Sequence, residues 1–254
     1  MEINRTVSAD QWQFLQNYTP ARIARGRAGH SLPTAELLKF QSDHAQARDA
    51  VYSEIQISSL QEAFMSNFKI EVLSLQSEVK SRSQYLQRPD LGRTISQISR
   101  ETLSKKDASE ADICFVIADG LSAKAINEHS FPFLQLLLPK LQADNWKIAP
   151  ICIVEQGRVA IADEIGFLLK ASIVVILIGE RPGLTSADSM GAYITYQPQV
   201  GLTDESRNCV SNIRPEGLNY VLASEKIFYL LNEIKGKKIS GVQLKDEMAN
   251  YKIL

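Results

Sequence analysis

Six branched aliphatic residues stand in a row in Ser172-Ile173-Val174-Val175-Ile176-Leu177-Ile178. The run falls well short of the roughly 20 apolar residues that cross a bilayer, and it lacks the alternation of a strand with one wet face. It reads as a strand covered on both sides. Ile113-Cys114-Phe115-Val116-Ile117, bounded by acidic residues and by Asp119-Gly120, and the β-branched stretch from Ile148 to Val154 read the same way. Between these runs, Phe133, Leu134, Leu137, Leu138 and Leu141 recur at helical spacing despite Pro132 and Pro139, and Val159, Ile161, Ile165, Leu168 and Leu169 share one helical face. Strands that alternate with amphipathic helices predict a parallel α/β sheet of Rossmann type. A last helix, with Ala223, Ile227, Leu230, Leu231 and Ile234 inward, is expected to end at a Gly236 cap.

The texture differs before residue 106, where Gln, Ser and Arg surround helix-compatible apolar positions. Ser31-Leu32-Pro33-Thr34-Ala35-Glu36 offers capping residues and an early proline, so a helix is expected from about 34 to 51. Residues 53–67 are ambiguous. Ile70, Leu73, Val79 and Leu86 predict a second helix over Lys69 to Leu86, stopped by the turn Arg88-Pro89-Asp90-Leu91-Gly92. The expected organisation is thus an N-terminal helical region, residues 1–106, followed by a Rossmann-like domain, residues 107–254.

Charge removes several partners from consideration. With 28 Lys plus Arg against 29 Asp plus Glu, a net charge of −1 gives no general reason to bind nucleic acid or an anionic membrane. Met1-Glu2-Ile3-Asn4-Arg5 has no apolar core of the secretory kind, so export is not expected. The three cysteines, Cys114, Cys152 and Cys209, include no Cys-x-x-Cys and no His at ligand spacing, which fits reduced cytosolic thiols and gives a zinc site no support.

In open parallel sheets, ligands bind beyond the carboxyl ends of the strands, where loops converge with helix N-termini. Two loops stand there: Asp119-Gly120-Leu121-Ser122, with Ser122 able to cap the next helix, and Gly179-Glu180-Arg181-Pro182-Gly183-Leu184. Each reads equally as turn chemistry. Gly-x-Gly-x-x-Gly and the P-loop pattern are absent. Among the histidines, His30, His44 and His129 lack the neighbours of a metalloprotease motif or a nucleophile elbow, and His44 beside Asp43 suits a structural or interface role. Arg22, Arg25 and Arg27 could hold phosphate, but salt bridges explain them better. The polar segment Arg207-Asn208-Cys209-Val210-Ser211-Asn212-Ile213-Arg214-Pro215 has turn propensity, and its cysteine serves either packing or a ligand contact. No self-contained catalytic set emerges.

Seven segments taken in order resemble the small subunit (light chain) of ethanolamine ammonia-lyase: Thr19-Pro20-Ala21-Arg22-Ile23-Ala24-Arg25-Gly26-Arg27-Ala28-Gly29; Asp43-His44; Tyr85-Leu86-Gln87-Arg88-Pro89-Asp90-Leu91-Gly92-Arg93; Asp119-Gly120-Leu121-Ser122; Gly157-Arg158-Val159; Gly179-Glu180-Arg181-Pro182-Gly183; and Arg207-Asn208-Cys209-Val210-Ser211-Asn212. Each is short, but together they span nearly the whole chain. The resemblance implies a lyase that depends on adenosylcobalamin (coenzyme B12) and converts ethanolamine to acetaldehyde and ammonia, with the substrate inside a TIM barrel of a separate large subunit. It implies an isolated small subunit without activity and a hexamer of large–small pairs. It places the cobalamin contacts of this chain on Val159, Glu180 and Cys209, at the interface with the large subunit, and assigns no catalytic or metal-ligating residue. Asp119 and Ser122 are added from the strand-end argument alone.

Many cobalamin domains use Asp-x-His-x-x-Gly to place a histidine on cobalt; the motif is absent here, and the family is similar to binders that keep the cofactor's own base in place. The resemblance implies a location in the ethanolamine-utilisation microcompartment or the cytoplasm. Some members carry a longer N-terminal extension linked to packaging. Here the Thr-Pro-Ala-Arg motif is reached by residue 19, which weighs against packaging by that route. The alternative reading, from another class, is a non-catalytic Rossmann-type module that binds a nucleotide or a protein partner.

Overall fold

The aliphatic run becomes the central strand of a six-stranded sheet in the computed structural model, which describes residues 7–106 and 109–248. In chain order the elements are α1 (Thr34–Tyr52), α2 (Ile57–Phe68), β1 (Val72–Gln76), α3 (Arg82–Gln87), α4 (Gln97–Ser104), β2 (Ala111–Ala118), α5 (Ala123–Ala143), β3 (Ile151–Glu155), α6 (Ile161–Leu168), β4 (Ala171–Gly179), β5 (Met190–Tyr196), β6 (Arg207–Ile213) and α7 (Tyr220–Lys237). The strands lie in the order β1-β3-β2-β4-β5-β6. The first four are parallel, whereas β5 and β6 run antiparallel. The expected parallel sheet is therefore a mixed one. The antiparallel pair escaped the sequence reading because β5 carries Gly191 and two tyrosines among its apolar residues, and β6 is largely polar, with Asn208, Ser211 and Asn212.

Two apolar layers sandwich the sheet. Ile113, Phe115, Ile117, Val175 and Leu177 face α2, α5 and α7, while Cys114, Val116, Val174, Ile176 and Ile178 face α4 and α6. Adjacent residues of one strand thus enter opposite layers, which is why no alternation of polarity was visible in the sequence. Each large aliphatic removed from water here contributes on the order of 1.5–3 kcal/mol.

The helix expected over Lys69 to Leu86 is corrected: Val72–Gln76 is an edge strand paired with β3, and only Arg82–Gln87 is helical. Leu73 and Leu75 enter one layer and Val72 the other, so the period is two. Residues 7–106 thus supply four α-helices and one strand of the sheet. The ambiguous stretch 53–67 contains most of α2. Gly236 is not the cap of the last helix; Lys238 takes the left-handed role at φ +58° and donates its N–H to Ile234. The boundary residue 107 and the signal-peptide reading at Met1 to Arg5 fall outside the described residues. All three cysteines are free thiols, Cys114 and Cys152 buried and Cys209 exposed. Among the described residues, no helix is long and apolar enough to cross a membrane.

The ends of β2 and β4 approach so closely that two glycines are required there. A Cβ on Gly179 would collide with the Ser122 carbonyl oxygen and stand 2.5 Å from that of Asp119, and Gly120, at φ +56°, would meet Ile178 at 2.5 Å. Leu121 donates its N–H to the Gly179 carbonyl at 2.9 Å across the same contact. Gly179→Ala should therefore lower the unfolding free energy by about 1–3 kcal/mol or more, measured by urea denaturation; a variant as stable as the parent would contradict the close approach.

Candidate functional site

Loops after β2, β3 and β4 meet at the carboxyl edge of the parallel strands. Asp119 lies at the centre and is buried. Its Oδ1 accepts the Gly157 N–H at 3.1 Å, tying the end of β2 to the end of β3. Arg82, from the first turn of α3, reaches into the same place: its Nη1 donates to the Gly120 carbonyl at 2.9 Å and to Gln156 Oε1 at 3.2 Å, and lies 3.7 Å from Asp119. Tyr85 is sandwiched between the guanidinium groups of Arg82 and Arg158, 4.6 and 4.0 Å from its ring centroid, and donates its hydroxyl to the Gly157 carbonyl at 3.1 Å. Ser122 caps α5 by accepting the Ala125 N–H at 3.2 Å and donates to the Ala187 carbonyl at 2.9 Å. Asp119 and Ser122 are thus turned inward, and their hydrogen-bonding groups fasten the loops to one another.

Beyond this buried knot the surface opens. On the α6 side of the sheet, Arg207 of β6 is covered and paired with Asp163 of α6. Further along that side, Tyr193 of β5 is half-buried, while Cys209 and Ser211 of β6 are exposed, so among the described residues no helix covers the antiparallel pair there. Cys209 lies opposite Tyr193, with its Sγ 3.2 Å from Ser211 Oγ. Burial raises the Tyr193 pKa, and the nearby Cys209 and Glu180 raise it further. The hydroxyl is thus a proton donor at neutral pH.

Glu180, immediately after β4, leans over Gly191, where an added Cβ would stand 2.9 Å from its Oε1. Its Oε2 accepts from Ser189 Oγ and from the Asn212 N–H at 3.2 Å. Among the described residues, nothing hydrogen-bonds to Oε1. Val159 packs with Tyr193 against the α6-side layer and lines a cavity of about 690 Å³ together with Arg93, Arg158, Asp163 and the 200–204 loop. Glu180 and Cys209 therefore share one neighbourhood around Tyr193, and Val159 stands on the same side of the sheet.

The remaining polar residues that stood out in the sequence are committed elsewhere. Arg22 pairs with Asp43, and Arg25 with Glu36 at 2.6 Å, both on α1, which is the salt-bridge reading. His44 stacks on Phe40. His129 is buried, with Nδ1 2.8 Å from the Tyr220 hydroxyl and Nε2 3.5 Å from Asp188. Glu128, His129 and Asp188 bring three ligand atoms within 4.8 Å of one another, but Asp188 also pairs with Arg214 at 3.2 Å, so the cluster reads as an ion-pair chain. Tyr193, Arg82 and Arg214 were not singled out from the sequence as site residues. Tyr193 carries a usable signal, a tyrosine in an apolar run; Arg82 carries none, since its partners are distant in the chain, and Arg214 falls in the polar segment 207–215 while two of its partners, Asp188 and Thr185, are distant.

Fold and site together define a mixed α/β protein whose polar loops gather at the strand ends beside an uncovered stretch of sheet. The family model "Ethanolamine ammonia-lyase light chain (EutC)" matches residues 9–245. Similar proteins include the "Ethanolamine ammonia-lyase small subunit" of Azotobacter vinelandii, 53% identical over 244 residues, covering 95% of this chain and 90% of that protein. Those of Pseudomonas putida strain W619 and Ralstonia nicotianae are each 51% identical, over 93% and 95% of this chain and 88% and 90% of theirs. The chain belongs to the ethanolamine ammonia-lyase light chain family, so it is by family the small subunit of a lyase.

Burial raises the Asp119 pKa to about 6 against the pull of Arg82 and the N–H donors of Gln156, Gly157 and Gly120. An unfolded aspartate titrates near about 3.9, so the ionised form is penalised in the folded chain above pH 6, and the penalty is relieved as pH falls from 6 towards 4. Relative to Asp119→Asn, the parent should gain on the order of 1–3 kcal/mol between pH 7 and pH 4, measured by urea unfolding. A difference independent of pH would contradict this.

Proposed function

We propose that this chain serves an adenosylcobalamin-dependent ethanolamine ammonia-lyase, converting ethanolamine to acetaldehyde and ammonia, by forming one wall of the cofactor chamber against a large subunit. The observation that carries the reading is the uncovered stretch of sheet, where Glu180 keeps an unbonded carboxylate oxygen beside exposed Cys209. The residues suit a broad, amide-rimmed corrin. Oε1 of Glu180 can accept an amide N–H from its rim, Gly191 leaves room for the Glu180 carboxylate to lie against β5, and Val159 and Cys209 offer apolar and soft surface. Adenosylcobalamin, when bound, supplies the radical through its own Co–C bond. This chain's residues bind and orient the cofactor, and together with the large subunit they exclude water.

The substrate is held in the large subunit, and the chain is inactive alone. On this reading residues 107–254 contain the cofactor-facing part, and the assembly is a hexamer of large–small pairs. Its location is the cytoplasm or the ethanolamine-utilisation microcompartment.

Mixing this chain with the large subunit and adenosylcobalamin should give ethanolamine deamination that neither chain shows alone. Glu180→Gln can keep its carbonyl towards Ser189 and Asn212, and it then offers an NH2 donor where the carboxylate offered an acceptor. The dissociation constant of adenosylcobalamin from the assembled complex, measured by equilibrium dialysis, should rise about tenfold or more, the scale of a lost charge-assisted hydrogen bond. An unchanged affinity would favour a non-catalytic nucleotide- or partner-binding module instead.

A further inference from the structure

The Glu180 carboxylate owes its orientation to a break in the sheet. Between β5 and β6 the register slips: Met190 faces Ile213 while Ala192 faces Val210, leaving an extra residue in β6 at Ser211–Asn212. Such a bulge takes a backbone group out of the ladder and re-aims it. Here the Asn212 N–H is the group released, and it donates to Glu180 Oε2 at 3.2 Å. Asn212 sits at φ +59°, in the left-handed region that asparagine tolerates better than most residues but that still needs support from its surroundings.

Arg214 supplies that support with all three sides of its guanidinium. Nε donates to Asn212 Oδ1 at 3.1 Å, Nη1 donates to Asp188 Oδ1 at 3.2 Å, and Nη2 donates to the Thr185 carbonyl at 3.4 Å. The side chain is 13% exposed, with its bond to Asp188 partly buried and those to Asn212 and Thr185 at the surface. One planar group thus clamps the bulge of β6 to the turn that follows β4, and that turn carries both Glu180 and its other donor, Ser189. Through Asp188 the clamp continues to His129 of α5 and Tyr220 of α7. Lysine, with a single ammonium, has no fork that could hold three such acceptors in one plane.

Resting on the reading of Glu180 as a cofactor contact, we propose that Arg214 is a positioning residue, which holds the Asn212 N–H and the Ser189 hydroxyl on Oε2 so that Oε1 is presented to the corrin rim. It does not touch the cofactor. It acts only through the carboxylate.

A double-mutant cycle on the assembled large–small complex tests this, with the adenosylcobalamin dissociation constant as the readout for the parent, Glu180→Gln, Arg214→Ala and the double variant. Arg214→Ala should weaken binding about fivefold or more in the parent, but less than about twofold in the Glu180→Gln background, because contacting residues in one network are not additive. A residue that merely stabilised the chain would weaken both backgrounds by the same factor. Equal factors, or a parent-like affinity for Arg214→Ala, would overturn the proposal. Should Arg214→Ala fail to assemble, Asn212→Gly takes its place: it keeps the left-handed backbone, removes the side chain that Arg214 Nε grips together with its 3.5 Å contact to Ser189 Oγ, and carries the same expected pattern. If Glu180→Gln itself leaves affinity unchanged, the functional reading and this one fall together; if it weakens binding without coupling to Arg214, only this one falls.

Discussion

Everything at the strand ends depends on one contact in which backbone meets backbone without an intervening side chain. Gly120 and Gly179 let the turn after β2 lie directly on the end of β4, and the Leu121 N–H closes the gap on the Gly179 carbonyl. That contact fixes where the next residue, Glu180, leaves the sheet. Asp119, one residue before Gly120, extends the knot to β3 through the Gly157 N–H, and Arg82 fastens the first helical segment to it through the Val51 and Gly120 carbonyls. Three loops are thereby set in relation to one another by groups wholly inside the protein. Loops so constrained can present the Glu180 carboxylate to a neighbouring molecule at small entropic cost.

The sheet extends past this knot by two antiparallel strands, and the covering helices do not follow it on the α6 side. The buried pair of Asp163 and Arg207 marks where cover ends. Burial raises Asp163 to about 6 in spite of its partner, so the pair is better understood as fixing α6 over β6 than as a source of stability. From there onward Tyr193 is half-buried against the α6-side layer, and Cys209 and Ser211 are exposed beside it.

How much of this was legible follows from where each signal resides. The run from Ile173 to Ile178 gave β4 directly, because its shortness, its β-branched content and the glycine that follows it favour a strand buried on both sides over a helix. Ser122 as a cap was likewise local. Val72–Gln76 was misread because five residues at a sheet edge can satisfy helical spacing by accident when Ile70 and Val79 are counted with them. The bulged strand from Arg207 to Ile213 looked like a turn, since its polar residues sit on the uncovered face and its asparagine takes a left-handed conformation. Glu180 was visible from its place after a strand. Its supports, Ser189, Asn212 and Arg214, were not, because they converge from positions 9 to 34 residues away. Asp119 was visible as a strand-end carboxylate, but only the structure shows it facing inward.

The most direct measurement is cobalt-edge anomalous diffraction from crystals of this chain with its large subunit and adenosylcobalamin. The account requires the cobalt peak to lie over the open face beside Glu180 and Cys209, with corrin density within contact distance of both. A peak on the opposite side of the sheet, over α5 and α7, or one enclosed by the large subunit without contact to this chain, would contradict it.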